Sequence, residues 1–194
     1  MKQSRDGPYT ELGRAAFENA VALLEDSRIL FKNGRYQRAY VLAVLAMEEL
    51  AKFVLCKAYV TGYVTDQSLR SFGGFERVIR SHFPKQVTFL FTRALKTSGI
   101  TLLFLGISWN LTMKARAAGA REAGVFDIVE RTKQDALYVD LREGKVIVPE
   151  NQVGEKKTYE LMKEVEEAIP FYEKLLSANE SEFGSLLGLL KPDK

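Results

Sequence analysis

The chain has 194 residues, 46% hydrophobic and 27% charged, the balance of a soluble globular chain with room for one sizeable core. Its net charge of +3 permits contact with phosphates but lacks the strong basic stripe of a dedicated nucleic-acid binder. One cysteine (Cys56) and one histidine (His82) exclude an internal disulfide and a metal centre built from clusters of those residues, so no metal and a reducing, cytoplasmic location are expected.

The N-terminal "MKQSRDGPYTEL" has no apolar run, and no signal peptide is expected. Residues 9–33 predict an amphipathic helix. Leu12, Ala16, Phe17, Ala20, Leu23, Leu24, Leu30 and Phe31 share one arc at 3.6-residue spacing. Thr10 is the expected N-cap and Gly34 the left-handed stop. Residues 35–60 predict a second helix, antiparallel to the first because the loop is short. It is apolar nearly all round, which marks a buried central helix, except for a stripe of Arg38, Glu48, Glu49 and Lys52. Glu48–Lys52 and Glu49–Lys52 have the i,i+4 and i,i+3 spacings of ion pairs.

"TGYVTDQSLRSFGG" reads as a loop. A third helical region is expected over residues 75–94, interrupted or bent near Pro84, and a fourth over residues 100–118, with Trp109 in the core. The apolar segment "GITLLFLGISWNL" within the fourth is too short for a membrane span and is broken by Gly106, Ser108 and Asn110. "VFDIVERTKQDALY" reads as helix. It leads into a small hairpin over residues 138–149, two β-branched runs flanking "REG" with Gly144 at the turn. A C-terminal helix, kinked at Pro170, covers "EKKTYELMKEVEEAIPFYEKLLS", and the tail "GSLLGLLKPDK" is either a last packed turn or a frayed end. No repeat, linker or low-complexity segment interrupts the chain, so one all-α domain over residues 1–194 with a small hairpin is expected. No P-loop spacing is present, so nucleotide hydrolysis and a bound cofactor are not expected.

Three segments in this order, "LAMEELAK", "RSHFPK" and "DALYVDLREGKVIVPEN", resemble the AbiV family of bacterial abortive-infection proteins. That family sits within the HEPN helical superfamily, in which a short turn feeds a small-residue-rich second helix bearing Glu and Lys. The resemblance covers about residues 10–176. It implies an antiparallel HEPN bundle, a homodimer, and a role in phage defence in which the infected cell stops growth or phage production. HEPN proteins are often metal-independent endoribonucleases whose signature is Arg, four to six residues, then His. Here Arg77 and His82 fit that spacing.

The chemistry suits the pair. Cleaving RNA without a metal needs a base near the 2′-hydroxyl, which His82 supplies, and a cation on the phosphate, which Arg77 supplies. In an unbroken helix residues five apart lie about 140° apart around the axis and diverge, so a break between Ser81 and Pro84 is needed for them to converge. Arg80 and Lys85 read either as RNA-backbone ligands or as a solvated helix end. Glu48, Glu49 and Lys52 read either as an internal ion-pair network or as a support orienting Arg77 and His82. Tyr138 and Asp140 read either as an aromatic packed under the hairpin with an acid at its turn, or as a base-stacking platform. Two other readings stay open: a non-catalytic sensor or effector that binds a phage-encoded activator protein, and a helical partner in a toxin–antitoxin type pair.

Overall fold

The computed structural model describes residues 6–70, 73–82, 85, 88–89 and 124–187. The fourth helix with Trp109, the end of the third beyond Phe89, Pro84 and the last seven residues of the tail fall outside them. The described elements are α1 (Asp6–Lys32), α2 (Tyr36–Val60), α3 (Phe75–Arg80), α4 (Gly124–Asp135), β1 (Asp140–Arg142), β2 (Lys145–Ile147), a 3-10 turn (Pro149–Asn151), α5 (Glu155–Ser177) and α6 (Glu180–Leu187).

Helices α1, α2 and α5 form the core, with α2 at its centre. The small side chains of Ala39, Ala43, Ala46 and Ala51 are fully buried, which lets neighbouring helices approach closely, while Leu50, Phe53 and Tyr172 fill the space between. α1 begins earlier than the apolar pattern predicts, so Thr10 lies inside the helix and is not its N-cap. Its end is as expected. Gly34 has φ +70°, its N–H donates to Phe31 O, and the Arg35 N–H donates to Leu30 O, the paired closure of a Schellman motif. Ser27 Oγ, fully buried, donates to Ala39 O at 2.7 Å and pins α1 to α2.

The loop after α2 is held by Asp66. Its carboxylate accepts from Tyr59 Oη at 2.7 Å and from the Phe75 N–H at 3.3 Å, the latter at the start of α3. The Phe75 ring stacks on Tyr59 at 4.0 Å between centroids, and Tyr9 closes the cluster edge-on. α3 is only six residues long. It ends where Ser81 turns extended, with φ −87° and ψ 136°. His82, Lys85, Thr88 and Phe89 beyond it are again helical. The chain therefore breaks at Ser81, and helical spacing then puts His82, Lys85 and Phe89 on one face.

β1 and β2 pair antiparallel with Leu141 opposite Val146, joined by Glu143 and Gly144 at φ +50° and +76°. Two successive positive φ values are those of a type I′ turn, whose twist matches the strands. Arg142 bridges Asp135, the last residue of α4, and Asp140, and so clamps the hairpin to that helix. Gln37 Nε2 donates to the carbonyls of Glu150 and Val153, which ties the chain after the hairpin to the start of α2. α5 runs through Pro170 as one helix. α6 resolves the tail as packed as far as Leu187, because Phe183 and Leu187 are buried in the core.

Candidate functional site

Glu48 is the organising residue. It lies on α2 with 1% of its side chain exposed, and a carboxylate so placed requires cations and hydrogen-bond donors. Three side chains from two other segments supply them. His82 Nδ1 lies 2.5 Å from Oε2, Lys85 Nζ 3.4 Å from the same oxygen, and Lys133 Nζ, on α4, 3.2 Å from Oε1. Lys133 also reaches Glu130 Oε2 at 2.7 Å and lies 3.3 Å from His82 Nδ1. Lys85 and Lys133 are buried, whereas the His82 side chain keeps 49% of its exposure.

This geometry selects a tautomer. An ionised carboxylate 2.5 Å from a ring nitrogen needs a proton between them, so Nδ1–H donates to Glu48. The Lys133 contact at Nδ1 is then electrostatic. Because Nδ1 is engaged by the buried carboxylate, Nε2 is the ring nitrogen left for other chemistry on this half-exposed side chain. A carboxylate holding one imidazole nitrogen while the other carries a free lone pair is the arrangement of a general base. Burial opposes ionisation of Glu130, but hydrogen bonds from Lys133 and Gln134, and the charge of Lys133, outweigh it and hold its pKa below 4.5.

The sequence-derived candidates distribute unevenly over this site. His82, Glu48 and Lys85 meet. The expected Glu48–Lys52 pair is not formed: Lys52 pairs with Glu49, half-buried on the adjacent part of α2. One residue further along a helix is 100° around it, so Glu48 turns inward to His82 and Lys133 while Glu49 stays with Lys52. Lys85 is not part of a solvated helix end, because its helical face places it beside Phe89 in the interior. Arg80 pairs with Glu76 at 3.1 Å on the exposed face of α3.

Arg77 is exposed, and its guanidinium folds back along Gly73, at the opposite end of α3 from His82. Helical side chains lean toward the N-terminus, which carries Arg77 away from the residue five positions on. Among the described residues no hydrogen bond or ion pair joins Arg77 to His82. Tyr138 is 58% exposed and so is not packed under the hairpin. Asp140 is not at the turn. It opens β1 and accepts from the Leu141 N–H and Arg142 Nε, and the Arg142 hydrogen bond, chiefly, lowers its pKa.

Lys133 and Glu130 escaped the sequence reading. A signal was there: Val129, Lys133 and Ala136 fall on one helical stripe, and a lysine on an apolar stripe asks for a buried acid. A cavity of about 370 Å³ lies elsewhere, lined by Tyr9, Gly13, Phe53 and Lys57 among others. There Lys57 donates to the carbonyls of Leu175, Leu176 and Ala178, a cap on the end of α5.

An antiparallel helical bundle, with a buried polar cluster on its central helix and a small hairpin, defines an all-α domain of the HEPN type. The family model HEPN_AbiV, described as AbiV, matches residues 8–169, and the chain belongs to that family of abortive-infection proteins. Neither the curated proteins nor the solved structures contain a match to it. Among the described residues no helix is long and apolar enough to cross a membrane.

Proposed function

We propose that this protein is a phage-defence toxin that acts in the cytoplasm as a homodimer and cleaves RNA without a metal ion. The observation that carries the reading is the pairing of half-exposed His82 with buried Glu48. His82 Nε2 takes the proton from a 2′-hydroxyl. The 2′-oxygen attacks the adjacent phosphorus, the bond from phosphorus to the 5′-oxygen breaks, and the leaving oxygen takes a proton from an imidazolium. A 2′,3′-cyclic phosphate and a 5′-hydroxyl result. Glu48 holds the ring in the tautomer that presents Nε2 and stabilises the imidazolium. Arg77, exposed at the end of α3 away from His82, adds positive charge for the flanking RNA backbone, and a second copy doubles that basic surface.

The test incubates purified protein with tRNA, rRNA and mRNA in the presence of a chelator and analyses the cut ends. Cyclic phosphate ends, lost in His82→Ala, support the reading. Intact RNA, together with full phage protection by His82→Ala at equal abundance, sinks it.

A second reading has its own observation. Leu137, Tyr138, Val139, Leu141 and Val146 expose 43–68% of their surfaces around the hairpin, the kind of apolar patch that binds protein. In this reading the chain is an effector triggered by a phage-encoded protein. Full protection by both Arg77→Ala and His82→Ala, with loss of protection in Leu141→Asp, favours it.

A further inference from the structure

One ligand atom each from Glu48, His82 and Glu130 lie within 4.8 Å of one another. Two carboxylates and an imidazole are a donor set that binds zinc and similar divalent cations. The centre of this set is taken by an ammonium. Lys133 Nζ, 95% buried, stands 3.2 Å from Glu48 Oε1, 2.7 Å from Glu130 Oε2 and 3.3 Å from His82 Nδ1. These are the spacings of charged hydrogen bonds and close charge contacts. A zinc ion holds its ligands at about 2.0–2.2 Å, which brings neighbouring ligand atoms to about 3.4 Å, tighter than the spread found here.

We infer that Lys133 is the built-in cation of this site and that its ammonium holds a latent zinc-class site closed. Among the described residues, the ammoniums of Lys85 and Lys133 already stand at these carboxylates. A divalent cation entering beside Lys133 is repelled by those ammoniums and must leave water for a largely buried cluster, a large cost. It also competes with Glu48 for Nδ1 of His82. Removing the Lys133 ammonium takes away the positive charge that stands among the three ligand atoms and leaves space between them. Lys133 is thus a positioning residue for His82: by engaging Glu48 Oε1 it orients the carboxylate so that Oε2 meets the imidazole, beside Lys85. The inference stands on this geometry and does not depend on RNA being the substrate.

The test titrates zinc chloride into the full-length wild type, Lys133→Ala and the double variant Lys133→Ala/His82→Ala. Calorimetry gives affinity, and the ring resonances of His82, the only histidine, report its engagement by NMR. The wild type is expected to leave the His82 resonances unmoved. Lys133→Ala is expected to bind zinc roughly tenfold or more tighter than the wild type, with the His82 signals displaced, and the double variant to lose that gain. The inference is overturned if zinc shifts His82 in the wild type, a measurement that needs no variant to fold. It is overturned equally if folded Lys133→Ala shows no gain, or if the gain survives removal of His82.

Discussion

His82 Nδ1 and Glu48 Oε2 meet at 2.5 Å across 34 residues of chain, and the carboxylate side of that contact is almost wholly buried. The break at Ser81 makes the meeting possible, because it turns the next helical stretch so that His82 and Lys85 face α2. Arg77, on the far side of that break, keeps its guanidinium near Gly73.

Glu48 ties two other chain segments to α2, so its loss should be costly. Glu48→Ala leaves Lys85 and Lys133 buried without their shared carboxylate, and a decrease in unfolding free energy of about 3–5 kcal/mol is expected. Urea denaturation measures it. Adding Lys85→Ala to that variant should recover part of the loss, because Lys133 keeps Glu130 whereas Lys85 has no other carboxylate among the described residues, so a buried unpaired ammonium is removed. Strict additivity of the two changes would contradict the coupling.

Acid should weaken the same cluster. Glu130 has a folded-state pKa below 4.5, so its contribution is present above the unfolded value and is lost as pH falls through the folded one. Urea midpoints followed from neutral pH to about pH 3 should fall less steeply for Glu130→Gln than for the wild type. Identical slopes would assign the acid sensitivity to other carboxylates.

Cys56 should be silent in the native state. It is fully buried on α2, and burial pushes its thiol up to about 12, with the nearby charges of Lys52 and Glu49 acting in opposite directions. Because the thiolate is the reactive form, labelling by a thiol reagent at pH 8 should be slower by about a thousandfold or more in buffer than in urea. Rapid native labelling would mean that α2 opens locally.

The hairpin turn offers a stabilising change. Glu143 holds φ +50°, a conformation that Asn and Gly adopt at lower cost than Glu. Glu143→Asn should raise stability by about 0.5–1 kcal/mol, and Gly144→Ala should lower it by about 1 kcal/mol. Thermal unfolding compares the two. A decrease for both would show that the Glu143 side chain contributes more than its backbone strain costs.

Periodicity and turn chemistry, which act over a few neighbouring residues, were enough to locate most of the described elements. The Gly34 stop, the buried central helix α2 and the Gly144 hairpin were legible in this way, and so was the family, from three ordered segments. Local signals also named Glu48 and His82 as polar residues in need of an explanation. They proposed the wrong partner for Glu48, because Lys52 satisfies the i,i+4 rule whether or not the carboxylate turns inward. Which acid enters the core, and which lysines follow it, depends on the direction of each side chain after the helices pack. Lys133 lies 85 residues from Glu48, and no local rule links them. Only the tertiary structure decides that contact, because the free energy of a buried charge is set by whatever surrounds it in three dimensions.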